Sequence, residues 1–394
     1  MRDLLRDRNV NLVLADCSIF GFVLGLALLV VPLYTLTLSD SPLVLAAVVA
    51  VFPFTAVLLS LASGAISEAF GSRSMLVGAF ALMAAGCVVL AAARTWPGAL
   101  LGQFLLGLGD VVYWIPAFAL LARLAPPGRQ YAVQGLGAST QQVGTIVGPF
   151  VGGLVSGIAG FPMAFLVGAV LSLAGLAVGL AMKHDSHGGN GLSGIGAFLV
   201  RYHRQALGAL LENPAVLWAN LVHAATLVTW PVMRGSFYLA YLTLRGLSSS
   251  ASGSILSAHL LVGSLASAGL GRLSAGRSMP RLLLVIAVFG AVTVGITPLL
   301  SSIPLIVLVA CAGGVVALYN PASIGFLSEE AGLAERSMGV ALLNLSWAVV
   351  SPVGVLLVGV LVDRVSLAAG FFVTEVVAVV CVGLLWIWAE KRLV

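Results

Sequence analysis

Long apolar stretches recur along the whole chain, and each is ended by a short cluster of charge, Pro or Gly. They run over approximately 9–38, 42–67, 74–93, 97–122, 131–157, 161–182, 214–241, 249–271, 281–300, 303–327, 337–362 and 367–389. A helix that crosses a bilayer needs roughly 20 apolar residues, so each stretch is long enough to span. Alternation with period two is absent. In lipid every backbone N–H and C=O must be bonded within its own segment, so stretches of this kind are predicted to be helices.

The one long polar interruption is 183–213. It opens with His184, Asp185, Ser186, His187, Gly188, Gly189, Asn190 and Gly191, a flexible polar linker. Ile195, Phe198, Leu199, Tyr202, Ala206 and Leu210 then recur at helical spacing, with Arg201, Arg204 and Gln205 on the other side. That pattern predicts a basic amphipathic helix, lying either on the lipid surface or over the protein's own inner face. The linker separates six spans from six, giving 1–182, 183–213 and 214–394 as the expected domains. The halves look repeated. Tyr34 corresponds to Tyr241, Gly71 to Gly276, Arg129 to Arg336, and Gly148-Pro149 to Ser351-Pro352, at offsets between 203 and 207 residues. The expected fold class is therefore an all-α membrane protein of about 12 transmembrane helices in two six-helix bundles.

Composition agrees. Of 394 residues, 60% are apolar and 8% charged, where a soluble domain has roughly a quarter charged. The mean hydropathy is +1.12. The net charge of +5 does not point to nucleic acid, because the basic residues sit between apolar stretches. Of the 19 Lys and Arg, only Arg94, Arg245 and Arg364 fall on the side opposite the termini, and Arg234 falls within a span. By the positive-inside rule both termini are expected in the cytoplasm and the chain in the plasma membrane. The first stretch is too long for a cleavable signal and is expected to remain as the first span. Cys17, Cys87, Cys311 and Cys381 all lie in apolar runs without metal or disulfide spacing, so no cofactor or metal is expected.

Two motifs carry a family resemblance. Between spans 2 and 3 the chain reads Gly64-Ala-Ile-Ser-Glu68-Ala-Phe-Gly71-Ser-Arg73. In span 5 it reads Gly144-Thr-Ile-Val-Gly148-Pro149-Phe-Val-Gly152-Gly153. The first resembles the signature G-x-x-x-[DE]-R-x-G-R-[KR] of the major facilitator superfamily, with Ala69 and Ser72 at two expected arginines. The second matches the superfamily's antiporter signature G-x-x-x-G-P-x-x-G-G. The resemblance implies that Glu68 and Arg73 take part in a cytoplasmic charge network. It further implies a transporter rather than an enzyme, monomeric, exporting a drug-like solute against protons. On their own terms, Gly144, Gly148 and Gly152 form a smooth helix face for close packing, and Pro149 bends the helix. Drug:proton antiporters carry an Arg in span 4 in an R-x-x-x-G pattern. Here Gln103 precedes Gly107 at that place, which departs from the usual coupling scheme.

Ionisable groups inside a spanning helix are costly and so are functional candidates. Asp110 in span 4 is the first candidate for proton coupling. Glu375 in span 12, Arg234 in span 7, Asp16 in span 1 and His259 in span 8 follow. Each has a structural reading beside the functional one: Asp16 as part of an ion pair, Glu375 as a packing group, His259 bonded to a neighbour. Gln103, Tyr113, Trp114, Gln141, Tyr319, Asn320, Asn344 and Trp347 are candidates to line a cavity, although most such aromatics simply pack. The expected partners are a small-molecule substrate, protons and the lipid bilayer. No phosphate-binding loop of the type G-x-x-x-x-G-K-[ST] occurs. The expected activity is secondary active export of small amphipathic molecules. The alternative is export of a metabolite, sugar, siderophore or lipid without the usual proton coupling.

Overall fold

The computed structural model describes residues 7–125, 130–182 and 212–392 except 331–332, together with 208 and 210; at 58, 60–69, 130–131, 328–330, 333–341 and 390–392 it describes the backbone alone. The linker helix expected over 195–210 lies almost wholly outside these residues, as do Arg129 and the side chains of Glu68 and Arg336. The described residues are helical between short turns, with no strand among them.

The first six helices are α1 (Arg8–Leu38), α2 (Pro42–Phe70), α3 (Ser72–Ala92), α4 (Trp96–Leu124), α5 (Gln130–Ala159) and α6 (Phe161–Ala181). The seventh span is broken into α7a (Pro214–Leu227), α7b (Trp230–Met233) and α7c (Ser236–Leu244). Then come α8 (Ser249–Ala268), followed by a short turn of helix at Leu270–Ser274, and α9 (Met279–Ile296). The tenth span is α10a (Ile303–Gly313), a 3₁₀ stretch at Gly314–Leu318, and α10b (Tyr319–Glu330). The chain closes with α11 (Leu333–Arg364) and α12 (Leu367–Arg392). Among the described residues eleven spans are long and apolar enough to cross a membrane, and Pro42–Val57 of α2 is a further apolar segment. The protein is thus a multi-pass membrane protein.

Spans 7 and 10 are each interrupted within their length. Pro231 has no N–H to bond back along the helix, and Arg234 closes α7b with φ −148° before Gly235. In span 10, adjacent Gly313 and Gly314 admit the tighter turn because both lack side chains. A Cβ on Gly314 would fall 2.3 Å from the His259 carbonyl oxygen of α8.

Two compact units emerge. One comprises residues 1–40, 54–199 and 247–257; the other comprises 41–53, 200–246 and 258–394. Corresponding details recur in both. The first helix of each half is capped by a short polar side chain: Asp7 accepts from the Asn9 and Val10 amides at 2.7 and 3.3 Å, Asn213 from those of Ala215 and Val216 at 3.0 and 3.3 Å. The turns after α2 and α8 each use a glycine at positive φ, Gly71 at 80° and Gly276 at 69°, where an L side chain would be strained.

The repeated tyrosines do the same work twice. The Tyr34 hydroxyl donates to the Ala93 carbonyl at the end of α3, and its ring meets Phe165 of α6 at 5.5 Å. The Tyr241 hydroxyl donates to the Thr297 and Leu300 carbonyls at the end of α9, at 2.9 and 3.1 Å, and its ring meets Phe371 of α12 at 5.6 Å. Each tyrosine therefore ties the end of one helix to carbonyls at the end of another. Replacing Tyr34 by Phe leaves the buried Ala93 carbonyl unpaired, and we expect a loss of roughly 1–3 kcal/mol; replacing Tyr241 is expected to cost less, because the Thr297 carbonyl keeps the Leu300 amide as a partner. The measurement is the thermal midpoint of purified Tyr34→Phe and Tyr241→Phe protein in nanodiscs; unchanged midpoints would show that these bonds do not hold the helix ends.

Candidate functional site

In the first unit the polar positions of α4 fall on one face. Gln103, Asp110 and Tyr113 are all buried, as spacings of seven and three residues on a helix dictate. Phe20 of α1 stacks on Tyr113 with centroids 3.7 Å apart and meets Trp114 edge-on at 6.2 Å. Trp114 stacks on Phe118 at 5.1 Å. The Trp114 side chain lies beside the Asp110 carboxyl, one turn along the helix. Asp16, one turn before Phe20, is completely buried. The Tyr113 hydroxyl faces its carboxyl, yet no group among the described residues reaches either Asp16 oxygen in hydrogen-bond geometry. The Gln103 Oε1 is likewise buried without a partner among them. The site so formed holds two carboxyls, one amide and four aromatic rings, with no cation bonded to either acid among the described residues.

The α5 motif forms the wall beside it. A Cβ on Gly144 would fall 2.0 Å from the Ser18 carbonyl oxygen, and one on Gly148 2.4 Å from that of Phe22. From the opposite side, a Cβ on Gly21 would fall 2.0 Å from the Gln141 oxygen, and one on Gly25 2.4 Å from the Thr145 oxygen. Helices α1 and α5 thus meet backbone to backbone. Gly153 faces α8 instead, where a Cβ would fall 2.5 Å from the Ser249 oxygen. Ser250 donates to the Gly153 carbonyl at 3.1 Å and Ser257 to that of Ile146 at 2.7 Å, on either side of Pro149. Gln141 contributes its backbone to this seam, and its side chain is half-buried.

The second unit has its own polar cluster. Tyr319 donates to the Ala219 carbonyl at 3.2 Å, and its ring lies parallel to that of His223 with centroids 5.7 Å apart. Ser346 of α11 donates to the Asn220 side chain at 2.9 Å. Asn320 and Asn344 are exposed and Trp347 is half-buried. The Arg234 guanidinium lies 4.0 Å above the Trp230 ring, with His259 beside it. His259 Nδ1 pairs with the Ala310 carbonyl at 2.8 Å.

With this arrangement in hand, the relatives are informative. The family model described as Major Facilitator Superfamily matches residues 17–303. The chain belongs to the major facilitator superfamily. Among solved structures, the nucleoside transporter NupG aligns with a TM-score of 0.74 at 16% identity, covering 96% of this chain and 99% of that one. A POT family transporter, in complex with a thioalcohol-conjugated peptide, aligns with a TM-score of 0.74 at 14% identity, covering 99% and 96%. At those identities the likeness shows the shared fold. Comparison with curated protein sequences finds no match. The protein is a major facilitator transporter and not an enzyme.

Two charged residues of this facilitator sit in places the sequence did not reveal. The Glu375 carboxyl lies against Gly295 of α9, so closely that a Cβ there would overlap it at 1.7 Å. Arg73 donates to the Gly179 and Leu180 carbonyls at 3.2 and 2.5 Å and so caps the C-terminus of α6. Ser72 meanwhile accepts from Arg123. Sequence reading also passed over Asn220, Ser346, Phe20 and Phe118. Asn220 was discoverable by the same sign as the others, a polar side chain within an apolar run. The phenylalanines carried no such sign, since an aromatic in a spanning helix usually just packs.

Proposed function

We propose that this facilitator is a secondary active exporter of small amphipathic organic molecules, driven by proton antiport across the plasma membrane. It acts as a monomer with both termini in the cytoplasm. The observation that carries this reading is the pair of buried carboxyls, Asp110 and Asp16, within spanning helices and beside the aromatic rings of Phe20, Tyr113, Trp114 and Phe118. A carboxyl that alternates between apolar and watery surroundings takes up and releases a proton with that change. Aromatic walls supply apolar area to a bulky solute. Asp110 is the proton carrier in this reading. The α5 seam, which matches the antiporter signature, is the tight contact about which the bundle rocks.

Gln103 favours a second reading, export of a metabolite or lipid without proton coupling. Its buried amide oxygen, without a partner among the described residues, stands where the resemblance expects a fixed positive charge. Accumulation of a broad panel of lipophilic cationic and anionic dyes and drugs in efflux-deficient cells decides between them. The antiport reading expects lower accumulation than in vector controls and loss of that difference with a protonophore. A difference that survives the protonophore supports the second reading. If no compound differs from vector despite confirmed membrane expression, the amphipath reading is abandoned.

A further inference from the structure

The second unit carries a cation deep in a span. Arg234 lies between Trp230 and Gly235 within Pro214–Leu244, a segment long and apolar enough to cross the membrane. A charge at that depth is costly unless something compensates it, and such residues mark pathways for charged substrates or ions. Among the described residues the Arg234 side chain makes no hydrogen bond or ion pair; its backbone amide bonds the Trp230 carbonyl. Its contact is the face of Trp230, and its ionisable neighbour is His259, a base and not a carboxylate. The Glu375 side chain of α12 is instead seated against Gly295 of α9.

The surroundings suit an anion. Stacking on Trp230 covers a flat side of the guanidinium. It leaves the N–H edges available, and these match the two oxygens of a carboxylate. The helix is broken at this point. Arg234 ends α7b, and the nine-residue α7c begins two residues later at Ser236. The N-terminus of α7c therefore adds free amide groups and the positive end of its dipole, an arrangement that discontinuous spans use to hold anionic substrate groups. On that first turn the hydroxyls of Ser236 and Tyr238 are buried, 1% and 3% exposed, and neither has a hydrogen-bond partner among the described residues. An unmatched guanidinium, two unpartnered hydroxyls and a helix start converge on one short segment.

We infer that Arg234 receives the anionic group of the transported molecule, and that the substrate is an amphipathic organic monoanion such as a carboxylate. One guanidinium balances one negative charge, and the apolar body of the ligand remains for aromatic and lipid-like surfaces. This inference rests on the reading of the protein as an exporter of small amphipaths and names the charge of its substrate.

The test uses full-length protein in phosphatidylcholine nanodiscs, with binding read as quenching of tryptophan fluorescence and as a shift in thermal midpoint. The probes are two matched series, naphthylacetate, naphthylacetamide and naphthylethylammonium, and octanoate, octanamide and octylammonium. The carboxylates are expected to bind and the amides and ammonium ions to bind far more weakly. Arg234→Gln is expected to weaken carboxylate binding by roughly 30-fold or more, and Arg234→Lys to keep part of it. Equal binding of an amide and its carboxylate overturns the inference, as does full carboxylate affinity in Arg234→Gln. Preference for the ammonium probes also overturns it while leaving the exporter reading intact. If the folded wild-type protein binds no probe of either series, both the inference and the amphipath reading fall. The wild-type comparison needs no variant, so a poorly folding Arg234→Gln does not stall the test.

Discussion

Asp110→Asn is expected to abolish proton-driven export while leaving the exchange of substrate for substrate in place. Asparagine has nearly the shape of aspartate and retains an oxygen toward the neighbouring Trp114 side chain, so local packing is preserved. What it lacks is a proton to exchange. In an antiporter the empty return step depends on that proton, whereas exchange of substrate across both faces does not. Proteoliposomes separate the two. Under an imposed pH gradient, gradient-driven flux in the variant should fall to the level of protein-free vesicles, and counterflow without a gradient should persist. Asp16→Asn is the companion measurement, because Asp16 is the other buried acid and the Tyr113 hydroxyl faces it. If Asp110→Asn keeps gradient-driven flux and Asp16→Asn loses it, the proton carrier sits on α1. If both variants keep it, proton coupling through these acids is wrong.

The second large effect is mechanical. Gly148→Ala adds a single methyl group, yet that methyl would lie 2.4 Å from the Phe22 carbonyl oxygen and 2.6 Å from the Leu26 amide nitrogen of α1. Both neighbours are backbone and cannot swing aside, so α1 and α5 must separate. Overpacking of this kind costs roughly 1–3 kcal/mol, and here the upper end is expected because the clash is repeated along a seam of glycines. Gly78→Ala on α3 is the control, with nothing within 4 Å of the added methyl. There the helix gains by roughly 0.5–1 kcal/mol from the lower entropy of the unfolded chain. The thermal midpoint of purified Gly148→Ala should therefore fall well below wild type while Gly78→Ala matches or exceeds it. Similar midpoints for the two variants would mean that the α1–α5 seam is looser than its geometry states. Transport should fail in Gly148→Ala as well, since a separated seam cannot act as a pivot.

Much of this was legible in the chain. The glycines of the α5 motif, four residues apart, announce a close helix contact, because only a side-chain-free face lets two backbones meet. The repeat was legible through Tyr34 and Tyr241, and the structure shows why those positions recur: each hydroxyl closes off the carbonyls at the end of the third helix of its half. The partner helix of the α5 face was not legible. Spacing says that a face is smooth but not what lies on it. For the same reason Arg73 could be assigned by motif to a charge network, while its donors to the Gly179 and Leu180 carbonyls could not be foreseen. Those carbonyls belong to a helix end more than 100 residues away.

The sequence by itself determined that the chain is a bundle of membrane-spanning helices built from two related halves. It also determined which polar groups lie at membrane depth. Both follow from local physics, since lipid accepts apolar side chains and demands internally bonded backbone, and these demands act on each segment separately. Tertiary structure alone decided what those polar groups meet. It set Asp16 facing Tyr113, seated Glu375 on Gly295, joined Ser346 to Asn220 and left Arg234 on Trp230 without a described counter-ion. It also decided that spans 7 and 10 break, because Pro and Gly only permit a break. In span 10 the close approach of α8 at Gly314 accompanies it. Pairings of this kind depend on the rotation of each helix about its axis, which is fixed by packing against neighbours far away in the chain.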